Sequence, residues 1–362
     1  MHIAYVINFA GKAGTEKYVE NLMRFAAEKG ARCTLIYNIP GPLCEKAAAC
    51  GDTVRLDMSP RRIFRAAREL AELCRREKID VLHAQYPREN VIAVLSRRFR
   101  PETRVVFTSH LTVRQNRIWH YVNKVMTTKE DAVISVCEAG VPLLRENGVC
   151  PEKIRVIPNG VEHRELPPRT DRLREEFSLP PEAFIFLTMA RYAPEKGLPE
   201  LIEAVGVANR ISSRPVACVI CGDGEEYETV AVKIREQGLE RLVVQAGYRR
   251  DAEELLSSAD GYVSSARSNE AMSFAILEAM SRGLPLVLTQ VGAADELARD
   301  CGLVSLPRDA EALGRNMARL AEEPALAEEL GRKARARSCS EYDLRKQMAV
   351  LWELYEETLK NR

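Results

Sequence analysis

The fold of this chain is decided by residues 266–296, ARSNEAMSFAILEAMSRGLPLVLTQVGAADE. The stretch reads as a loop, a helix, a turn and a buried strand, and residues 260–266 just before it have the length and composition of a short strand. We therefore expect the loop that holds Glu270 to leave the carboxyl end of a strand. Open α/β sheets bind their ligands at such strand ends.

The helix in this stretch is predicted to begin near Ser273, a residue type that caps helices, and to end at Gly283. The free amide groups and the dipole of its first turn favour an anion, for which phosphate is the natural candidate. Glu278, more than a turn inside the helix, could bind a vicinal diol such as that of ribose. Glu270 could reach hydroxyl groups beyond the phosphates. The alternative is that Glu278 is an ordinary helical glutamate and Glu270 is solvated.

Length and composition predict a globular chain of two domains. The 362 residues are 46% hydrophobic and 29% charged, and the net charge of +1 with a pI of about 7.5 gives no reason to expect a nucleic-acid partner. Strand and helix patterns alternate from the start of the chain to about residue 157 and again from Phe184, which predicts two α/β domains with parallel, doubly wound, Rossmann-like sheets. The predicted division is 1–165 and 166–339, with a linker at 162–172 that contains Pro167 and Pro168.

Polar residues follow three further strands at their carboxyl ends. Gly14 lies in a glycine-bearing loop after the first strand, where the backbone can approach a ligand closely. His110 directly follows the strand 104–109, although a lone histidine is more often structural. Arg191 and Lys196 flank a proline-containing loop before a helix, so they place two cations beside a strand end; the alternative is an ordinary surface pair.

The cysteine pattern and the absence of hydrophobic targeting segments predict a cytoplasmic protein. Ten cysteines are scattered without the spacing of a disulfide framework, and the pair Cys218 and Cys221 falls inside an apolar run, so buried strand thiols are expected. No run of residues has the length of a membrane span, and residues 1–9 read as a strand instead of a signal peptide.

One part of the chain is locally basic. Residues 60–124 contain fifteen Lys and Arg residues and six acids, a local charge of +9. Solvated helix faces explain most of these residues. The alternative is attraction to an anionic acceptor or to an anionic membrane surface, which would make the protein peripheral at the inner face of the membrane.

The motif that begins at Glu270, EAMSFAILEAMSRGLP, resembles the glutamate-x7-glutamate signature of the group 1 (family 4) retaining glycosyltransferases. The pattern from Arg191 to Lys196 resembles the family's R-x4-K diphosphate site, the sequence IPNGV at 157–161 resembles the segment before its interdomain link, and His110 resembles its sugar-contacting histidine. This resemblance covers nearly the whole chain. It implies a GT-B fold, in which two Rossmann-like domains face a central cleft and the last helix, here about 340–362, packs back on the first domain.

The resemblance also implies a reaction and a set of roles. A sugar would pass from a nucleoside-diphosphate sugar to an acceptor hydroxyl with retention, in hexosyl transfer for cell-surface polysaccharide or glycolipid synthesis, without a metal or other cofactor. The expected partners are the nucleotide-sugar donor and a saccharide or lipid-linked acceptor. The catalytic residues would be Glu270, His110, Arg191 and Lys196, and the donor-binding residues Gly14, Arg191, Lys196, Ser273, Phe274 and Glu278. Two alternatives stay open: a sugar-nucleotide epimerase on the same fold, and a non-catalytic sugar-nucleotide-binding subunit.

Overall fold

A computed structural model describes residues 1–110, 114–166 and 168–360 of the chain. It divides into two compact units, one formed by Met1–Asn159 with Arg345–Arg362 and the other by Gly160–Leu344.

The strands are β1 His2–Phe9, β2 Arg32–Ile39, β3 Asp52–Arg55, β4 Val81–Ala84, β5 Arg104–Ser109, β6 Ala132–Ser135, β7 Ile154–Val156, β8 Phe184–Met189, β9 Val216–Cys221, β10 Val243–Gly247, β11 Gly261–Ser264, β12 Leu286–Thr289 and β13 Gly302–Ser305. The helices are α1 Gly14–Glu28, α2 Leu43–Ala48, α3 Ile63–Glu77, α4 Pro87–Ser96, α5 Arg117–Thr127, α6 Gly140–Glu146, α7 Arg172–Phe177, α8 Leu198–Ile211, α9 Tyr227–Glu236, α10 Ala252–Leu255, α11 Phe274–Ser281, α12 Ala294–Ala298, α13 Ala310–Glu322, α14 Pro324–Glu341 and α15 Leu344–Lys360.

The first unit is built on a parallel sheet in the order β3-β2-β1-β4-β5-β6-β7. Its central strands are buried on both faces, as parallel sheets covered by helices require. One core cluster packs Val6 and Leu82 of the sheet against Leu70 of α3 and Ile92 of α4. The order reverses between β1 and β4, which is the topological switch point where such sheets bind ligands.

The second unit repeats this plan in the order β10-β9-β8-β11-β12-β13, again with parallel pairing. Its core packs Phe186 and Val263 against Leu201 and Val205 of α8 and Met317 of α13. The switch point lies between β8 and β11. The α/β fold with two doubly wound parallel sheets, expected from the alternating pattern, is confirmed.

The division between the units lies at Asn159/Gly160, whereas the sequence had suggested 165/166. Val161 explains the difference, since its N–H donates to the Tyr342 carbonyl over 2.9 Å and its carbonyl accepts from the Leu344 N–H over 3.0 Å. The chain therefore joins the second unit before the predicted linker begins. Pro167, within that linker, lies outside the described residues. The last helix, α15, belongs to the first unit from Arg345 onward.

Several helices were not predicted from the sequence: α5, α7, α9, α10 and α12. The helix α5 was overlooked although Asn116 caps it, accepting from the Trp119 N–H over 3.1 Å. The short helix α7 lies where only linker and loop had been expected. The prediction of buried strand thiols is confirmed: Cys218 and Cys221 are free and buried in β9. Among the described residues, no helix has the length and apolar composition needed to cross a bilayer.

Candidate functional site

The switch point of the second sheet carries two loops that lie against each other. The loop 190–197 leaves β8 and the loop 265–273 leaves β11, and these strands are paired neighbours. The Arg267 N–H donates to the Glu195 carbonyl over 2.7 Å, and the Ser265 hydroxyl donates to the Lys196 carbonyl over 2.9 Å. The two loops thus form one polar platform at the carboxyl edge of the sheet.

Gly197 allows this close approach. Its φ of +61° lies in the left-handed region, and a Cβ placed there would come 2.3 Å from the Ser265 carbonyl oxygen. Any side chain would therefore push the loops apart. The glycine that follows Lys196 is required by geometry at this point.

Lys196 and Glu270 form an ion pair across the platform, joining the two loops through their side chains. Both side chains are mostly buried, with exposed fractions of 21% and 17%. The residue before Glu270, Asn269, has a φ of +59°, and the carbonyl of Glu270 lies against Gly292, where an added Cβ would meet it at 2.3 Å. The backbone that leads into Glu270 therefore passes through a sparsely populated conformation at Asn269.

A small cavity opens beside this ion pair. It is lined by residues at the end of β8, on the loop after it and around β11: Thr188, Met189, Ala190, Lys196, Leu198, Tyr262, Ser264, Ser265, Glu270 and Ser273. The Tyr262 hydroxyl accepts from the Met189 N–H over 3.4 Å, which ties the two strands together at the switch point. Burial raises the pKa of Tyr262, and the carboxylates of Glu270 and Glu278 raise it further. Both glutamates therefore direct negative potential toward the same tyrosine.

The first turn of α11 faces this region. Ser273 occupies the N-cap position, but its side chain makes no capping hydrogen bond, so the sequence-based expectation of a serine cap is met in position only. The amide donors that begin with Phe274 thus keep the free character of a helix start. Glu278 is 8% exposed and lies one turn further along. The structure therefore brings together Lys196, Glu270 and Ser273, with Phe274 and Glu278 next on the helix.

Arg191 lies at the rim of the platform and outside the cavity lining. Its side chain is 66% exposed and donates to Glu195 Oε1 over 2.7 Å. It therefore provides positive charge near the strand end without the fixed geometry of Lys196. Among the described residues, no group of three or more His, Cys, Asp or Glu side chains is placed to hold a metal ion. The expectation of metal independence remains a prediction.

His110 lies at the carboxyl edge of the first sheet and is held by Gln85. The Gln85 amide group donates to the His83 carbonyl over 3.2 Å, so its oxygen faces His110, whose Nε2 lies 2.9 Å away. This arrangement assigns the proton to Nε2 of His110 and makes Nδ1 an acceptor. Burial lowers the pKa of His110 to about 3, so the ring is neutral at physiological pH.

His83 lies below His110 in the core and is fully buried. Its two ring nitrogens lie 2.6 Å from the Tyr355 hydroxyl of α15 and 2.6 Å from the Thr108 hydroxyl. Burial, followed by the proximity of His110, lowers the pKa of His83 to about 3. It is a structural histidine with both nitrogens bonded.

Gly14 is the first residue of α1. Two residues that follow it on this helix, Thr15 and Tyr18, contact the sheet edge that carries His110. Tyr18 of α1 packs its ring edge-on against His110 with centroids 4.9 Å apart. Thr15 accepts a hydrogen bond from the Tyr86 hydroxyl over 3.0 Å. The start of α1 and the ends of β4 and β5 therefore form one continuous hydrogen-bonding surface.

Sequence reasoning missed the residues that position these groups. Gln85 holds His110, and Glu195 and Asn269 shape the platform, yet none belongs to a motif. Gln85 carried one usable signal, because it directly follows a predicted buried strand. The other two act through backbone conformation or backbone hydrogen bonds, and these leave no mark on residue spacing.

Comparison with protein families gives two matches that together cover most of the chain. Residues 169–337 match the family described as glycosyl transferases group 1, and residues 13–165 match glycosyltransferase family 4. Lipopolysaccharide core biosynthesis glycosyltransferase LpsE from Rhizobium meliloti (strain 1021) is 26% identical over 336 residues, 90% of this chain and 91% of that protein. The UDP-Gal:alpha-D-GlcNAc-diphosphoundecaprenol alpha-1,3-galactosyltransferase of Escherichia coli is 26% identical over 245 residues, 64% of this chain and 63% of that protein.

Solved structures with the same fold cover the whole chain. A glycosyltransferase from Rickettsia africae superposes with a TM-score of 0.87 at 21% identity, covering 100% of this chain and 99% of that one. The Anabaena protein HepE in complex with UDP-glucose superposes with a TM-score of 0.84 at 19% identity, covering 100% of both chains. At these identities the likeness shows the fold alone.

Proposed function

The chain belongs to the group 1, family 4 glycosyltransferases and has their GT-B fold, and from this premise we propose that it transfers a sugar from a nucleoside-diphosphate sugar to an acceptor hydroxyl with retention of configuration. The observation that carries the proposal is the Lys196–Glu270 ion pair beside the start of α11, at the switch point of the second sheet. A fixed cation and free amides at that point suit a diphosphate, and the carboxylate suits sugar hydroxyls.

The donor is bound, in this proposal, by its phosphates and its two sugars. Lys196, the amides near Ser273 and Phe274, and the more exposed Arg191 neutralise the diphosphate. Glu278 binds the ribose diol and Glu270 binds the transferred sugar. On the first unit, Gly14 lets the backbone approach the substrates, and His110 offers a neutral ring nitrogen as an acceptor for a sugar hydroxyl.

In the reaction, the bond between the anomeric carbon and the diphosphate oxygen breaks, and a bond from that carbon to the acceptor oxygen forms. Negative charge grows on the leaving diphosphate, so cations and amide donors there stabilise the transition state more than the ground state. Retention in a single step, without a covalent intermediate, requires the acceptor to arrive on the face that the diphosphate leaves. The departing diphosphate oxygen is then beside the acceptor hydroxyl and takes its proton, so no metal or separate base is needed.

The acceptor is proposed from the relatives' chemistry. LpsE is described as acting in lipopolysaccharide core biosynthesis, and the Escherichia coli relative as acting on a diphosphoundecaprenol-linked sugar. We propose that this chain catalyses the same class of reaction, hexosyl transfer to a saccharide or lipid-linked acceptor. The reaction would serve polysaccharide or glycolipid synthesis at the cytoplasmic side of a membrane.

The test begins with binding, because binding needs no knowledge of the acceptor. Calorimetry with UDP, UDP-glucose and the other common nucleoside diphosphates should find at least one ligand, and Glu278→Ala should weaken it roughly tenfold through loss of the ribose contact. Glu311→Ala, on the exposed side of α13, serves as the matched control. No binding by any sugar nucleotide or nucleoside diphosphate would remove the basis of the proposal.

Product analysis then separates transfer from the two alternatives. Mass spectrometry of reactions with a panel of saccharide and lipid-linked acceptors should show an acceptor gaining one sugar. An isomerised nucleotide sugar formed without acceptor would indicate an epimerase. Donor binding with neither product would indicate a binding subunit.

A further inference from the structure

Helix α5, Arg117–Thr127, presents an apolar face to solvent. Ile118 is 74% exposed, Tyr121 is 63% exposed and Val125 is 59% exposed. Their spacing of three and four residues places them on one side of the helix. Large apolar side chains grouped on an exposed helix face differ from the single exposed hydrophobics found on any surface, and they mark an interaction site.

The opposite side of α5 attaches it to the first unit by polar contacts. Asn123 donates to the Asn147 carbonyl over 2.8 Å, and a ring nitrogen of His120 lies 2.8 Å from the Glu146 carbonyl. Thr127 is the buried residue of the helix. Met126 also packs against the core of the first unit, so α5 is attached by polar and apolar contacts while Ile118, Tyr121 and Val125 face outward.

The flanks of this apolar face are basic. Residues 114–129 contain Arg114, Arg117, Lys124 and Lys129 and no acid. Arg114 pairs with Glu146, whereas within the described residues Arg117 and Lys124 are exposed and form no ion pair. Elsewhere in the basic stretch 60–124 several arginines are engaged by neighbouring acids, as with Arg65 and Glu69. Arg117 and Lys124 therefore add positive charge directly beside the apolar face.

We propose that this face of α5 docks the protein on an anionic lipid bilayer, with Ile118, Tyr121 and Val125 entering the interface and Arg117 and Lys124 meeting the lipid phosphates. Helices that lie on membranes combine an apolar face with flanking cations, and tyrosine suits the headgroup region. Anionic lipid attracts each cation near its surface, so the two features reinforce each other.

A second copy of the chain fits this face less well. Two-fold pairing would bring Arg117 and Lys124 of both copies into one interface, and the helix carries no acid to pair with them. Three side chains on an eleven-residue helix also cover far less than the roughly 800 Å² that each partner of a stable complex buries. The charge and the small area favour a bilayer.

The helix follows β5, the strand that ends just before His110, and residues 111–116 connect them. The docking itself does not depend on the proposed sugar transfer, and its test requires no substrate.

The test uses the full chain and its own tryptophan on α5. The sequence has two tryptophans, so Trp352→Phe leaves Trp119 as the only reporter. Its emission should shift to the blue with phosphatidylglycerol-containing vesicles at low salt and stay unchanged with pure phosphatidylcholine. Ile118→Ser with Val125→Ser should weaken vesicle cosedimentation roughly tenfold or more. Arg117→Glu with Lys124→Glu should do the same at low salt, with little difference at high salt.

The controls keep each result decisive. Ile211→Ser alters an aliphatic residue that is 54% exposed at the end of α8 and should leave cosedimentation unchanged. Circular dichroism and light scattering establish that each variant is folded and report its oligomeric state. Equal binding to anionic and neutral vesicles, no binding at all, or a dimer that the α5 variants convert to monomer would each overturn the proposal.

Discussion

The carboxyl edges of the two sheets carry different chemistry on the same strand order. In the second unit the edge holds ion pairs, one between Lys196 and Glu270 and one between Arg267 and Glu200. In the first unit it holds neutral groups in a hydrogen-bonded network, with His110 on Gln85 and His83 on Thr108. The backbone plan is shared, so the difference lies in the side chains at the strand ends.

Under the proposed function, this difference suits the two edges to two kinds of ligand. A diphosphate requires fixed positive charge, which the second unit keeps in place through a partly buried carboxylate partner. A hydroxyl can also be bound by a neutral group, and the imidazole of His110, whose pKa burial lowers to about 3, is such a group. We therefore expect substitutions at the two sheet edges to have different effects on turnover and on nucleoside-diphosphate affinity.

Removing the cation of the second edge should have the largest effect. Lys196→Ala should lower turnover roughly 100-fold or more by removing charge stabilisation of the leaving diphosphate. Arg191→Ala should lower it less, because that side chain is 66% exposed and already paired with Glu195. Lys233→Ala removes a lysine that pairs with Glu203 between two helices, and it should leave turnover unchanged. Equal turnover by Lys196→Ala and Lys233→Ala would contradict the role of Lys196 in stabilising the leaving diphosphate.

Removing a neutral acceptor of the first edge should reduce turnover more modestly. His110→Gln should lower the rate roughly tenfold, as expected for one hydrogen bond to substrate, and leave nucleoside-diphosphate affinity unchanged. Since burial lowers the pKa of His110 to about 3, the wild type and the variant should have parallel pH–rate profiles between about pH 5.5 and 8. His120→Gln on α5 serves as the control. A step near pH 6.5 that His110→Gln abolishes would show a charged role instead.

Removing the carboxylate of the ion pair should separate binding from turnover. Glu270→Gln keeps the shape of the side chain and releases Lys196, so nucleoside-diphosphate affinity should rise roughly threefold to fivefold, in line with about 0.5–1 kcal/mol for a partly exposed ion pair. Turnover should fall, because the transferred sugar loses a charged acceptor. Calorimetry and steady-state rates measure the two changes. Weaker binding by Glu270→Gln would mean that the carboxylate supports the diphosphate site through structure alone.

The smallest expected effect is a change in the stability of the first unit, because this unit contains buried glutamate side chains. Glu130 accepts from Asn90 Nδ2 over 2.6 Å, and within the described residues its second carboxylate oxygen has no hydrogen-bond partner. Burial raises the pKa of Glu130 to about 7, and that of Glu89 likewise to about 7. These pKa values lie above those of the unfolded chain, so the stability that the neutral carboxyls contribute is present below about pH 4.5 and lost as the pH rises through 7.

Glu130→Gln should therefore stabilise the protein at pH 8 by about 1 kcal/mol relative to wild type, with less gain at pH 5.5. Urea unfolding at the two pH values measures the difference, and Glu152→Gln, an exposed residue, is the control. An identical gain at both pH values would mean that the carboxyl is neutral throughout or charged throughout. His83 and His110 act in the opposite sense, since their lowered pKa values remove stability as the pH falls from 6.5 toward 3.

Most strands, and the carboxyl-edge placement of the site residues, followed from local patterns. The apolar runs that became β8, β9 and β12 needed only their own composition, and Lys196 and Glu270 needed only their position after a strand. The helix α5 was missed although Ile118, Tyr121 and Val125 recur at helical spacing and Asn116 caps the helix, so its local signal was present in the sequence. Gln85 was missed because its role depends on His110, a residue 25 positions away in the chain.

The sequence by itself determined the alternation of strands and helices, the parallel sheets and the residue types at each strand end. These features depend on hydrophobic periodicity and on the placement of glycine and proline, which set secondary structure within a few neighbouring residues. Only the tertiary structure decided that Lys196 meets Glu270 across 74 positions, that α15 sends Tyr355 to His83, and that α5 keeps its apolar face in solvent. Such contacts depend on how separate elements pack, and packing between distant segments leaves no local signature in the order of residues.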